Sequence, residues 1–248
     1  MQDEKTVNGV RNSCHIASDV MQQISKSITI GMSTLDVDKL AAETMKDMGV
    51  RSAFLGYHGF PGHICISLNE EVLHGIPSAC RLISAGDLVK VDLGVVLDGY
   101  YSDTAKTFLM EDNQSDLTHK KKLMDATLSA LMSGISAAKA GHQVKAIASA
   151  IHNSLNNSGY EPVDNMSGHG VGIMLHQPPQ VPNKVEGWDC NSLLTVGMTI
   201  AIEPMVGAGT SRIRIKNDGW TIVMEDHMPS AHFEHTVLIT DGEPEILT

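Results

Sequence analysis

The sequence is short of the features that carry chains into membranes, out of the cell or onto nucleic acid. No apolar run approaches the roughly 20 residues that a bilayer-spanning helix requires. The opening MQDEKTVNGV has no basic stretch leading into an apolar one, so neither a membrane span nor a secretory leader is expected. Cysteine is sparse: Cys14, Cys65, Cys80 and Cys190 are widely separated, with no CxxC pair. That pattern fits reduced thiols in a cytoplasmic protein and predicts no disulfides. Basic residues are in the minority, 18 Lys and Arg against 29 Asp and Glu, for a formal net charge of -11. A chain that grips a phosphate backbone needs a clustered cationic excess, and none is visible, so there is no direct nucleic-acid signature. The run Lys120-Lys121-Lys122 reads as a solvated helix face.

What is present is a chain of 248 residues, 42% hydrophobic and 19% charged, enough for one globular domain or two fused halves. Residues 31–49 (GMSTLDVDKLAAETMKDMG) and 141–159 (GHQVKAIASAIHNSLNNSG) are both nineteen residues long and bounded by Gly. Val37, Leu40, Ala41, Met45 and Met48 in the first, and Val144, Ile147, Ala148, Ile151 and Leu155 in the second, follow helical spacing, and each closing Gly suits a left-handed cap. Another helix is predicted before each, over about 7–28 and 117–139, the latter after a polar turn at 111–116. The same offset reaches the strands GDLVKVD (86–92) and GMTIAIE (197–203), which both run through alternating apolar residues to a carboxylate. Helices followed by strands, twice over, suggest halves of about 1–115 and 116–248 related by a pseudo-twofold axis. Strand-and-Gly patterns also recur by chance, and the identities are few.

The strand segment VDLGVVLDGYYSD (91–103) carries acids that a half-buried hairpin would not need. Asp98-Gly99 is a two-residue turn signal with both residues at positive φ. It sets Leu97 opposite Tyr100, Asp92 opposite Ala105 and Asp103 opposite Gly94. Asp92 and Asp103 then share one face as diagonal neighbours, roughly 7–8 Å apart at the backbone, with Val91, Leu93, Val95 and Leu97 on the other. Gly94 would leave space beside the pair. From the second half, Glu203 in IAIEPM and Glu234 in SAHFEHTVLIT could join them. Two carboxylates about 4 Å apart repel by about 4 kcal/mol at an effective dielectric near 20, so four need protons or cations to coexist. Divalent metals answer that need.

Twelve histidines offer imidazole ligands, and most must be surface or core residues. His15, His119, His142 and His152 lie in helix-like segments and take that bland reading. His169, between glycines in SGHGVGIMLHQPP (167–179), can approach a site closely; His176 follows seven residues later. His74, in CISLNEEVLHGIP (65–77), is ambiguous by spacing alone.

Taken together, CISLNEEVLHGIP, GDLVKVDLGVVLDGYYSDTAKTF, SGHGVGIMLHQPPQV, GMTIAIEPM and HFEHTVLIT resemble the type I methionine aminopeptidases, in that family's order and separations, over essentially the whole chain. The resemblance implies an α+β pita-bread fold, a single catalytic domain over 1–248 whose pseudo-symmetric halves share an antiparallel sheet core covered by helices. It implies that Asp92, Asp103, His169, Glu203 and Glu234 hold two divalent metal ions, of Co, Mn, Fe or Zn type. Asp103 and Glu234 would bridge, Asp92 would complete one site, and His169 with Glu203 the other. A hydroxide bridging the metals would attack the scissile carbonyl, with Glu203 as proton shuttle and His74 and His176 touching the substrate amide and carbonyl.

By the same resemblance the methionine side chain would lie against Tyr57, Phe60, Cys65 and Trp220, a setting that suits a thioether. Without it, Trp220 reads as core packing after an Asp-Gly turn. Phe54, Leu175 and His232 depart from residues common in the family, and all three are expected near the pocket. The implied partner is a peptide or nascent protein N-terminus, with ribosome association a property of the family, no membrane, and a monomer expected. Two other readings are a proline-specific peptidase of the same fold, whose usual N-terminal domain would not fit before Gly31, and a pita-bread binding protein that has lost its ligands.

Overall fold

A computed structural model describes residues 3–111 and 116–248. Helices are α1 (Glu4–Ser27), α2 (Thr34–Asp47), α3 (Thr118–Ala137) and α4 (Val144–Asn157), within a few residues of the spans read from spacing. Most of the polar turn expected at 111–116 lies outside the described residues. Asp3 caps α1 by accepting from the Thr6 N–H at 2.7 Å. Ser33 and Asp36 form a reciprocal capping box on α2. Both helices that follow the Gly-bounded pattern end as expected, with Gly49 at φ 72° and Gly159 at φ 79°.

Each pair of helices covers a sheet. In the first half α1 and α2 pack Val20, Ile24, Val37, Ala41 and Met45 onto Val89, Val91, Leu93 and Val95. In the second, α3 and α4 pack Leu131, Ile135, Ile147, Ile151 and Leu155 onto Ile200, Ile202 and Val237. Burying each large aliphatic side chain contributes about 1.5–3 kcal/mol, so these faces hold the helices in place. Leu40 and Met48, also read as inward, are only partly buried at the edge of the first cluster.

The first sheet is antiparallel, Cys65–Leu68 beside Leu88–Leu93 beside Thr104–Leu109. The second runs Glu245–Ile246, His235–Leu238, Thr199–Ile202, Ser167–Gly170, Gln177–Pro182. The halves repeat in detail. The bridge Ser33↔Leu82 has its counterpart in Gln143↔Leu193. The bonds Gly31 N–H to Ile83 O and Ala53 N–H to Gly94 O recur as Gly141 to Leu194 and Val163 to Met205. This is the two-halved pita-bread arrangement. No helix among the described residues is long and apolar enough to cross a membrane.

Candidate metal centre and its cavity

The hairpin forms in the register its turn dictates. Asp98 and Gly99 sit at φ 51° and 86°, and the pairs Leu97↔Tyr100 and Asp92↔Ala105 are both present. Val91, Leu93 and Val95 fill the opposite, fully buried face. The ladder breaks at Gly94 and at Ser102-Asp103. Gly94 does not open room for the acids: a Cβ there would lie 2.5 Å from the Ser102 carbonyl and 3.1 Å from the Phe54 ring. Its missing side chain serves close packing of those two groups.

The other acids arrive across the seam between the sheets. Glu234 follows strand Ser230–His232, and its N–H donates to the Ala105 carbonyl at 2.9 Å. Its own carbonyl accepts from Thr104 Oγ1 at 3.1 Å. Thr236 Oγ1 donates to the Asp103 carbonyl at 2.7 Å and fixes the other side of the seam. Glu203 follows Thr199–Ile202, its carbonyl accepting from Asn183 Nδ2 at 3.1 Å. His169 lies on Ser167–Gly170, and its flanking glycines make space for neighbouring strands: a Cβ on Gly168 or Gly170 would sit 2.2 Å from Ala201 O or 2.4 Å from Pro178 O.

His169 Nδ1 lies 3.0 Å from the Gly170 carbonyl. That bond needs the proton on Nδ1, which assigns a lone pair to Nε2. Nε2 is 3.5 Å from Glu203 Oε1 and 3.6 Å from Asp103 Oδ2. Ligand atoms of Asp92, Asp103 and Glu234 lie within 4.8 Å of one another, as do those of His169, Glu203 and Glu234. Glu234 belongs to both sets. Asp103 joins the first and also a third set with His169 and His176, so geometry alone admits His176 beside the expected five.

All four carboxylates are buried, and Asp92 Oδ1, Asp103 Oδ1 and Glu234 Oε1 have no hydrogen-bond partner. Orphaned buried carboxylate oxygens are costly unless a proton or a cation meets them. Burial raises Asp92 to about 7, Glu203 adding and His232 opposing. Burial also raises Glu203 to about 8. Asp103 and Glu234 rise well above the carboxylate range through burial and then repulsion from neighbouring acids, Asp92 and Glu203 on both and Asp103 on Glu234. His169 is drawn down to about 3, chiefly by burial, and so stays neutral. Oxygen donors with one neutral imidazole fit a divalent cation.

One cavity of about 370 Å³ gathers these groups with the rest of the expected site. Its lining includes all five candidate ligands, His74, His176, Tyr57, Phe60, Cys65 and Trp220, and two of the departing residues, Phe54 and Leu175. Phe60 and Trp220 meet edge to face at 5.1 Å. Tyr57 OH reaches His176 Nδ1 at 2.8 Å. His74, half-buried at φ 55°, is lowered to about 4 by burial. His232 lies near the pocket but behind its wall. It is 1% exposed, with Nε2 3.6 Å from Glu203 Oε2. His58 and Leu73 also line the cavity and were not singled out by sequence. His15, His119 and His142 are exposed, and His152 bonds Glu161 at 3.1 Å, all outside the site.

Residues 8–241 match the profile of metallopeptidase family M24. The methionine aminopeptidase of Borreliella burgdorferi is 39% identical over 248 residues, covering 100% of this chain and 97% of that protein. The crystal structure of methionine aminopeptidase from Thermotoga maritima superposes with a TM-score of 0.93 at 35% identity, covering 100% of this chain and 98% of that one. The prolidase of Pyrococcus furiosus, at 24% identity and a TM-score of 0.80, shares the fold, with this chain covering 65% of it.

Proposed function

Because this chain belongs to metallopeptidase family M24, we propose that it is a methionyl aminopeptidase acting on peptides and nascent proteins whose second residue is small. The observation that carries this reading is the convergence of Asp92, Asp103, Glu203, Glu234 and His169 on a cavity whose other walls are aromatic and aliphatic side chains, Cys65 and three further histidines. Asp103, Glu234 and His169 each fall in two of the ligand sets. His169 has only Nε2 free, its Nδ1 being bonded to the Gly170 carbonyl, whereas each carboxylate has two oxygens to share, which supports a bridging role for Asp103 and Glu234 between two divalent ions of Mn, Fe, Co or Zn type. Asp92 would complete one site, and His169 with Glu203 the other. When bound, such ions lower the pKa of water and polarise a carbonyl.

The chain's own residues supply the rest. Phe54, Tyr57, Phe60, Cys65, Leu175 and Trp220 form one apolar cluster, a slot for a flexible thioether. Glu203, raised to about 8, can take a proton and pass it on near neutral pH. With Tyr57 OH as the donor to His176 Nδ1, 2.8 Å away, the proton of that ring would lie on Nε2, free to donate to a substrate carbonyl. His74, kept neutral by burial, can pair with the amide of the bond to be broken. The proposed site of action is the cytoplasm, in keeping with four free, widely spaced cysteines.

The test is mass spectrometry of Met-Ala-Ser and Leu-Ala-Ser after incubation with metal-stripped protein plus each of Mn, Fe, Co and Zn. Release of Met from the first peptide, and little change in the second, is the expected result. No cleavage of Met-Ala-Ser with any metal would favour a binding protein instead.

A further inference from the structure

Lys90 is among the largest fully buried side chains of the protein, 1% exposed. It sits in strand Leu88–Leu93, two residues before Asp92 and on the same face. Its Nζ donates to the Asn69 carbonyl at 2.7 Å, the Ser230 carbonyl at 3.1 Å and Ser230 Oγ at 3.4 Å. An ammonium has three N–H donors, and three acceptors meet them. The Asn69 carbonyl is drawn in further by the Ser230 N–H at 2.9 Å and its Oγ at 3.0 Å. Burial lowers the Lys90 ammonium to about 7, and the negative charge of Glu71 and Glu70 works against that fall.

Three chain segments meet at that nitrogen. Asn69 precedes strand Glu71–Leu73, whose end delivers His74. Ser230 begins strand Ser230–His232, which leads to Glu234 and pairs through Ser230↔Gly207 and His232↔Met205 with the segment just past Glu203. The third is the strand of Asp92 itself. A buried cation with every donor satisfied specifies one arrangement of the groups around it, whereas a partly satisfied polar knot is destabilising.

We propose that Lys90 is a positioning residue for the metal centre: its ammonium clamps the Asn69 and Ser230 carbonyls and so holds Asp92, Glu234 and His74 in mutual register. The proposal rests on the metal-centre reading above. An aliphatic side chain of the same length fills the volume but leaves both carbonyls without the clamp. Groups that orient metal ligands from behind typically cost 10–100-fold in metal affinity when removed.

The test compares Lys90→Met and Lys90→Ala with the unaltered protein by calorimetric titration of the metal-stripped chains with Mn, alongside kcat and KM on Met-Ala-Ser well below each melting temperature. The clamp predicts folded variants with Mn affinity weakened about tenfold or more, kcat lowered more than KM is raised, and partial recovery of affinity in Lys90→Ala on adding ammonium but not tetramethylammonium. A folded Lys90→Met that binds Mn and turns over as the unaltered protein does would overturn it. If neither variant folds, Ser230→Ala, which removes one of the three acceptors, decides: weaker Mn binding supports the clamp and unchanged binding contradicts it. Failure of the unaltered protein to bind Mn would instead sink the metal-centre reading itself.

Discussion

Ala105 and Glu234 pair as an isolated antiparallel bridge between opposite halves of the chain. Ala105 is also the register partner of Asp92. One small residue thus sets an acid from the first half beside an acid from the second, and Asp103, two residues earlier, completes the group. The fold spends its central seam on bringing carboxylates together, and that arrangement has consequences that can be measured.

The first is a pH dependence. Burial raises Asp92 from 3.8 to about 7 and Glu203 from 4.5 to about 8. The unfolded chain has lost these protons well below neutrality, so the metal-free folded state loses stability as pH rises through the folded values. Histidines pulled down by burial, His169 to about 3 and His74 and His232 to about 4, act in the opposite sense but only below their unfolded value of 6.5. Between about pH 6.5 and 7 the carboxylates therefore act alone. From about 7 to 8 Lys90, lowered by burial from 10.5 to about 7, opposes them but is outnumbered by Glu203, Asp103 and Glu234. Each proton that the folded state still holds costs about 1.4 kcal/mol per pH unit. Thermal melts in chelator should show a falling melting temperature across that window, flattened by saturating Mn. A flat profile in chelator would contradict the assignment.

His74 and His176 separate binding from turnover. His74 belongs to none of the ligand sets found among the described residues, so His74→Ala should keep Mn affinity within about twofold and lose turnover by about 10²–10⁴. Calorimetry and peptide cleavage on one preparation check both. His176→Ala should likewise keep the metal; loss of an ion would move His176 into the ligand set that geometry admits.

Phe54 lines the slot. It is 7% exposed, and its ring packs where a Gly94 side chain would otherwise reach. Phe54→Cys should widen the cavity and shift preference toward side chains bulkier than Met, read as relative kcat/KM over a set of X-Ala-Ser peptides. An unchanged preference profile would remove Phe54 from specificity.

Asp38 anchors the loop that carries Phe54, Tyr57 and Phe60. From α2, its Oδ1 accepts from the His63 N–H at 2.7 Å and the Ile64 N–H at 3.0 Å, and Oδ2 lies 3.1 Å from His63 Nδ1. Asp38→Ala strands two backbone donors, at a cost of about 1–3 kcal/mol. KM for Met-Ala-Ser should rise with Mn affinity unchanged, as kinetics and calorimetry would show; an unaffected KM would make the anchor purely structural.

Local signals carried much of this design. Asp98-Gly99 encodes a turn in two residues, and the alternation around it fixes which face holds Asp92. The glycines bounding residues 31–49 and 141–159 mark equivalent helices because the turn before each helix and the cap after it need positive φ at those points. What was not legible depends on partners far along the chain. Gly94 read as open space because nothing nearby in sequence says that Ser102 and Phe54 close on it. The resemblance put His232 near the pocket without saying in which layer, because alternation cannot tell a cavity wall from the layer beneath. Lys90 looked like one more polar residue in a strand, since Asn69 and Ser230 are 21 and 140 residues away.

The most direct test of the central claim is the number of divalent ions held per chain, measured by elemental analysis after loading and exhaustive dialysis. The account predicts two ions in the unaltered protein and loss of both in Asp103→Ala and in Glu234→Ala, because each would bridge. An unchanged metal content in either variant would contradict it.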